Sequence, residues 1–173
     1  MARTYVITGT GSGIGLATKN KLVALGNKVV GVDIKNAEVI ADLSTPEGRK
    51  EAANKAIDMA GGTVDAVIAN AGSALPTATT VSINFFGATE FISAMNSSLA
   101  KSKSPRVAIT SSMASLMPND KELVDLMLAG DERKAVARAQ ALVNQGGGVE
   151  GSLRVAGRGD GGRGGGLLLL RVL

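Results

Sequence analysis

Residues 8–15 read TGTGSGIG, directly after the apolar run TYVIT (4–8) and directly before a segment with helical spacing. A glycine-dense junction between a buried strand and a helix constrains the fold more than any other stretch here, because it turns the backbone tightly and aims the helix N-terminus at the strand end. Spacing matters more than the number of glycines. A G-x-G-x-x-G pattern would need glycine where Ile14 or Leu16 stands, whereas T-G-x-x-x-G-x-G fits with Gly9, Gly13 and Gly15. A turn free of side chains lets a pyrophosphate approach the backbone and sit over the helix N–H groups. Thr8, Gly9, Gly11, Ser12, Gly13, Ile14 and Gly15 form that candidate cradle. Alone, the stretch has a lesser alternative, a merely tight strand-to-helix turn.

The rest of the chain supplies the context. KVVGV (28–32), VDAVIA (64–69) and RVAIT (106–110) are further short β-branched runs of the kind buried in parallel sheets. Between them, Ile14, Ala17, Leu22 and Leu25 space like one helix face that stops at Gly26. STPEGRKEAANKAIDMA (44–60) opens with a Ser/Thr cap, Pro46 and Glu47, which mark a helix start. A third helix is predicted over 81–100, with Val81, Asn84, Phe85, Ile92 and Met95 near one side. DKELVDLMLAGDERKAVARAQALVNQ (120–145) reads as two helical pieces split at AGD. The alternation predicts an α/β fold, a Rossmann-like doubly wound parallel sheet that stops after the fourth recognisable strand and a helical insertion. Residues 1–145 form this incomplete domain, and 146–173 form a Gly/Arg/Leu-rich tail.

Asp33 ends the second strand, where a carboxylate can accept hydrogen bonds from both ribose hydroxyls of an adenosine and repel a 2′-phosphate. No basic residue stands at Thr10, Gly11 or Ser12, although Lys35 is near, so NAD is expected rather than NADP. The alternative for Asp33 is an ordinary strand-end turn residue.

Composition excludes much else. The chain of 173 residues has no Cys and no His, which removes Cys/His metal centres, thiol nucleophiles and imidazole bases, and no metal site is expected. The net charge of +4 draws on Arg154, Arg158, Arg163 and Arg171 in the tail, and an aromatic content of 2% argues against a base-stacking surface. No nucleic-acid partner is expected. No secretory leader is read at the start, and no stretch reaches the roughly 20 apolar residues of a membrane span, so a cytoplasmic protein without a membrane partner is expected.

With TGTGSGIG, Asp33, ADLST (41–45), ANAG (69–72), SINFFG (82–87) and AITSSMAS (108–115) in this order, the chain resembles the short-chain dehydrogenase/reductase family over roughly residues 4–148. The run VVGVDIKNAEVIADLSTPEGRK is most similar to the bacterial 3α-hydroxysteroid dehydrogenase/carbonyl reductases of that family. The resemblance implies that Asp42 and Leu43 hold the adenine, with Ile34 beside Asp33. It implies that Asn70, with Ala71 and Gly72, lines the cofactor site, although Ala69 stands where the family usually has Asn. Asn84 would organise a proton relay through water, and Ser112 would hydrogen-bond the substrate oxygen. The residues themselves leave alternatives: Ser111 and Ser112 suit a turn, and Asn84 can be structural. Complete relatives are implied to be homo-oligomers acting on a small alcohol or ketone, including steroids.

One family element is missing. The family's Tyr in Y-x-x-x-K delivers the proton, with the Lys one helical turn on to lower its pKa. Tyr5, the sole tyrosine, lies in the first strand, and no Y-x-x-x-K follows Ser112. Position 125, where most of the family would place the Tyr, is Asp125; in the 3α-hydroxysteroid branch the Tyr would come near Gly151, Ser152 and Leu153. GGGVEGSLRVAGRGDGGRGGG (146–166) stands there instead, without hydrophobic periodicity. It reads as an out-of-frame stretch, or as a flexible tail. The expectation is an NAD-dependent secondary-alcohol oxidoreductase with doubtful turnover; the alternatives are a non-catalytic NAD-binding module and a Gly/Arg-tailed RNA binder.

Overall fold

The computed structural model describes residues 2–112 and 120–145, together with the backbone of 167–168. In chain order the elements are β1 (Thr4–Thr8), α1 (Gly13–Ala24), β2 (Lys28–Asp33), β3 (Val39–Ile40), α2 (Pro46–Ala60), β4 (Ala66–Ala69), α3 (Thr79–Val81), a π-helical turn (Ser82–Phe86), α4 (Gly87–Leu99), β5 (Arg106–Thr110), α5 (Lys121–Leu128), α6 (Glu132–Asn144) and β6 (Leu167–Leu168). They fall into two compact units.

The first unit holds β1 to β5 with α1, α2 and α4. Its strands run in the order β3-β2-β1-β4-β5, all parallel, with Val6 opposite both Val30 and Val67 and Ile68 opposite Ala108. Because side chains alternate across a strand, Val6, Val30, Val32, Val39 and Val67 share one core with α2 and α4. There Ala52, Ala53 and Ala56 let α2 lie close, and Phe91 and Met95 of α4 are fully buried. The start of α2 is as its sequence requires: Thr45 Oγ1 accepts the N–H of Gly48 at 3.1 Å, Pro46 leads the first turn, and Gly61 ends the helix at φ +85°.

Two sequence expectations need correction. Of the apolar face expected on α1, Ile14 at 55%, Leu25 at 65% and Ala17 are solvent-exposed, while Leu22 is half-buried. The turn docks the helix through Gly15, the one buried residue of α1, so its inner side reaches Leu22 through Thr18 and Lys19 rather than through Ile14 and Ala17. The strand tally was also short, since β3 pairs Val32 with Val39 and Asp33 with Ile40. Two residues leave no alternation to read.

The second unit contains α3, the π turn, α5 and α6. Ala78, Val81, Phe86, Leu123, Met127, Ala135, Ala139 and Leu142 make its core, and the Phe85 and Phe86 rings meet edge to face at 5.1 Å. α5 and α6 are capped by Asp120 and Asp131, which accept the N–H of Leu123 at 2.8 Å and of Lys134 at 3.1 Å. Gly130, at φ +73°, makes the break expected at AGD. Arg138 grips Asp120 with two nitrogens, at 3.1 and 2.6 Å, and this guanidinium holds the Asp120 carboxyl below the usual range. The third predicted helix is not uniform: its first part is α3 and the π turn, so the 3.6-residue spacing that grouped Val81 with Ile92 does not run through it. Of the tail, Leu167–Leu168 is described, as a two-residue strand; 146–166, and with them the positions where Tyr is expected, lie outside the described residues.

Candidate functional site

The TGTGSGIG turn is built by close approaches. Gly9 has φ +78°, and a side chain there would lie 2.8 Å from Ala71 Cα and 2.9 Å from Asn70 Nδ2. At Gly15 a Cβ would stand 2.0 Å from the Gly9 carbonyl oxygen. Thr8 Oγ1, buried, accepts the N–H groups of both Asn70 and Ala71, each at 3.0 Å, which ties the end of β1 to the segment after β4. Asn70 Nδ2 donates to the Gly9 carbonyl at 3.4 Å, and Thr110 Oγ1 donates to Asn70 Oδ1 at 3.0 Å. Thr8, Gly9, Gly15, Asn70 and Ala71 are thus brought together. Thr110 is an addition that the sequence reading missed; its place at the end of β5, just before the serine pair, was the available signal.

Asp33 meets the same turn. Its Oδ2 accepts the Gly11 N–H at 2.8 Å and its Oδ1 accepts that of Lys35 at 3.3 Å. Ser12 occupies the N-cap of α1 in extended backbone without a side-chain cap bond, and no acidic residue stands in the first turn. The leading N–H groups of Gly13, Ile14 and Gly15 therefore meet no capping side chain, and a positive helix end is left for an anion. Gly13 takes φ +54°, with open space where a Cβ would point. The glycine cradle and this helix end fit the pyrophosphate of a dinucleotide.

Ile34 is exposed beside Asp33. Asp42 lies farther along, its Oδ1 accepting the Ser44 N–H at 2.8 Å. The Leu43 side chain belongs to the core, and its carbonyl accepts from Nε of the buried Arg49 at 2.8 Å. Arg49 also bonds the Ser44 carbonyl at 3.1 Å and pairs with Glu90 at 2.8 Å, which holds the 42–44 segment in place. Glu38, another residue the sequence reading passed over, pairs with Lys19 of α1 and accepts the Gly31 N–H at 2.8 Å. Burial pushes the Glu38 carboxyl up, but Lys19 and the Gly31 N–H outweigh it and hold it below its ordinary value.

In the second unit, Asn84 sits on the π turn and exchanges hydrogen bonds with Ser73: Ser73 N–H donates to its Oδ1 at 2.8 Å, and its Nδ2 donates to the Ser73 carbonyl at 2.9 Å. Gly72 is exposed and Ser111 and Ser112 are half-buried, the two serines directly following β5. Among the described residues no helix is long and apolar enough to cross a membrane, and no group of three or more Asp, Glu, His or Cys gathers as a metal site would require.

A parallel sheet ordered β3-β2-β1-β4-β5, with a glycine turn at the end of β1, defines a Rossmann-like α/β domain. The short chain dehydrogenase family matches residues 3–124, more than half of the sequence, and the chain belongs to that family. A 3-alpha-hydroxysteroid dehydrogenase/carbonyl reductase of Comamonas testosteroni is 41% identical over 157 residues, covering 88% of this chain and 60% of the relative. The crystal structure of a 3-alpha-hydroxysteroid dehydrogenase from Pseudomonas sp. B-0831, complexed with NADH, superposes with a TM-score of 0.76 at 34% identity, covering 88% of this chain and 62% of that one. A short chain dehydrogenase of Penicillium brasilianum is 38% identical over 78 residues, covering 39% of this chain and 30% of the relative. The chain spans about 60% of the length of the Comamonas relative.

Proposed function

We propose that this chain carries the dinucleotide-binding portion of an NAD-dependent oxidoreductase that interconverts a secondary alcohol and a ketone, with a 3α-hydroxysteroid or another bulky carbonyl compound as substrate. The observation that carries the reading is the Asp33 carboxylate on the Gly11 amide, 2.8 Å away, at the glycine turn. A carboxylate there suits two ribose hydroxyls and repels a 2′-phosphate. The names of the Comamonas and Pseudomonas relatives support the substrate class. In this reading the turn and the α1 N-terminus hold the pyrophosphate, Asp33 and Ile34 flank the ribose, and Asp42 with the Leu43 backbone meets the adenine. Asn70 and Ala71 steady the inner wall. When bound, the nicotinamide supplies hydride transfer. Ser112 orients the substrate oxygen, and Asn84 anchors a water path for the proton.

The same reading gives this 173-residue chain little or no turnover, because Tyr5 is the sole tyrosine and it lies in β1. That absence also supports the second reading, a non-catalytic NAD-binding module. A cytoplasmic location and self-association of complete relatives remain part of the proposal. The test is a fluorescence titration of the purified chain with NADH and NADPH, followed by an assay of NAD-dependent oxidation of a 3α-hydroxysteroid. Saturable binding that favours NADH, weakened about tenfold or more in Asp33→Ala, is expected, since two hydrogen bonds to a charged group are lost. Failure to bind either nucleotide overturns the cofactor reading, and clear turnover overturns the inactivity.

A further inference from the structure

Lys19 lies one helical turn beyond Gly15, and its ammonium is paired with Glu38 in the loop before β3. The other oxygen of the same carboxylate accepts the Gly31 N–H at 2.8 Å. Gly31 and Asp33 are alternate residues of β2, so they share one face about 7 Å apart. That spacing is within a Debye length, about 8 Å at physiological salt. The carboxylate is confined as well as paired. A Cβ at Gly31 would stand 2.3 Å from the buried Thr10 Oγ1 and 2.7 Å from Glu38 Oε2, so only glycine leaves room for both side chains. Lys19 is 18% and Glu38 34% exposed, which limits solvent screening of the pair.

Resting on the NAD reading above, we propose that Glu38 is a positioning residue that determines cofactor specificity: by holding and neutralising Lys19, it withholds a cation from the ribose end of the site and so selects the cofactor without a 2′-phosphate. Asp33 repels such a phosphate directly. An uncompensated Lys19 would offset that repulsion, because the phosphate brings about two negative charges into a site that is otherwise balanced between Asp33, Glu38, Lys19 and Lys35. A purely structural clamp between α1 and the loop would strengthen or weaken both nucleotides alike, so the ratio of the two affinities separates the roles.

The test uses the full chain and measures dissociation constants for NADH and NADPH by nucleotide fluorescence. Glu38→Gln keeps an oxygen for the Gly31 N–H and removes the charge. It is expected to improve NADPH relative to NADH about fivefold at low ionic strength, with the gain shrinking as salt rises. Adding Lys19→Met to that variant returns the ratio to its starting value. Should Glu38→Gln fold poorly, Lys19→Met alone decides: it leaves the Glu38 charge uncompensated in the loop before β3, and NADPH must weaken relative to NADH. A ratio unmoved by these changes while NADH still binds overturns the role of Glu38 and leaves the cofactor reading standing. An unaltered chain that binds neither nucleotide, or NADPH as tightly as NADH, overturns that reading and this inference with it.

Discussion

Asn84 and Ser73 exchange two hydrogen bonds across eleven residues, at 2.8 and 2.9 Å, so the side-chain amide of one residue serves the backbone of the other as a neighbouring strand would. The pair fastens the loop after β4 to the π turn. Asn84→Ala should lower unfolding free energy by about 2 kcal/mol, because the Ser73 backbone loses a donor and an acceptor together. Asn84→Asp retains only the acceptor and sets a carboxylate against a carbonyl, so it should be at least as harmful. Urea midpoints equal to the unaltered chain for both variants would show that the pair fastens nothing.

Thr8→Val fills nearly the same space but abandons the N–H groups of Asn70 and Ala71, both of which rest on Thr8 Oγ1 at 3.0 Å. A cost of about 2–4 kcal/mol is expected, and Thr8→Ser should recover most of it. The comparison is by urea unfolding, and equal losses for Val and Ser would contradict the hydrogen-bond account.

Gly15 and Gly26 offer a controlled contrast. A methyl at Gly15 would meet the Gly9 carbonyl oxygen at 2.0 Å, so the turn must shift, whereas Gly26, at φ +80°, has open space around it. Gly15→Ala should weaken NADH binding more than tenfold. Gly26→Ala should cost about 1 kcal/mol of stability through its left-handed backbone and leave NADH affinity unchanged. Equal effects on NADH at the two positions would count against the close-packed cradle.

Acid should reveal Asp65. The Ser102 hydroxyl, donating at 2.6 Å, and the Thr4 N–H, at 2.8 Å, hold its carboxyl below the ordinary range. A lowered folded-state pKa contributes stability that is present above the unfolded value, about 3.9, and is lost as pH falls through the folded value. Asp65→Asn should therefore be less stable by about 1–2 kcal/mol at pH 7, with the gap closing toward pH 2. Urea midpoints across that range check the sign; a gap that widens on acidification would reverse it.

The sheet was legible because its strands are short β-branched runs: TYVIT coincides with β1, RVAIT with β5, and KVVGV falls one residue short of β2. The glycine spacing and Asp33 likewise led to one neighbourhood, since Gly11 and Asp33 do meet. The reading failed where geometry departs from a regular period. Gly15 has no side chain to mark the docking face of α1, so Ile14 and Leu25 were assigned inward although both are exposed. The π turn breaks the 3.6-residue spacing around Asn84, and neither Ser73 nor its two bonds can be inferred from apolar patterning. Glu38 was invisible for a related reason: a carboxylate in a loop looks solvated until Lys19 and Gly31 are found against it.

The brevity of β3 also matters between molecules. Val39 and Ile40 occupy only two rungs beside β2, and Ile40 is half exposed at the outer side of the sheet. Along β3 itself an incoming strand finds almost no run of backbone groups to extend, and beside it the Glu38 carboxylate already takes the Gly31 N–H, so a charged side chain and a short strand together discourage growth of the sheet on that side.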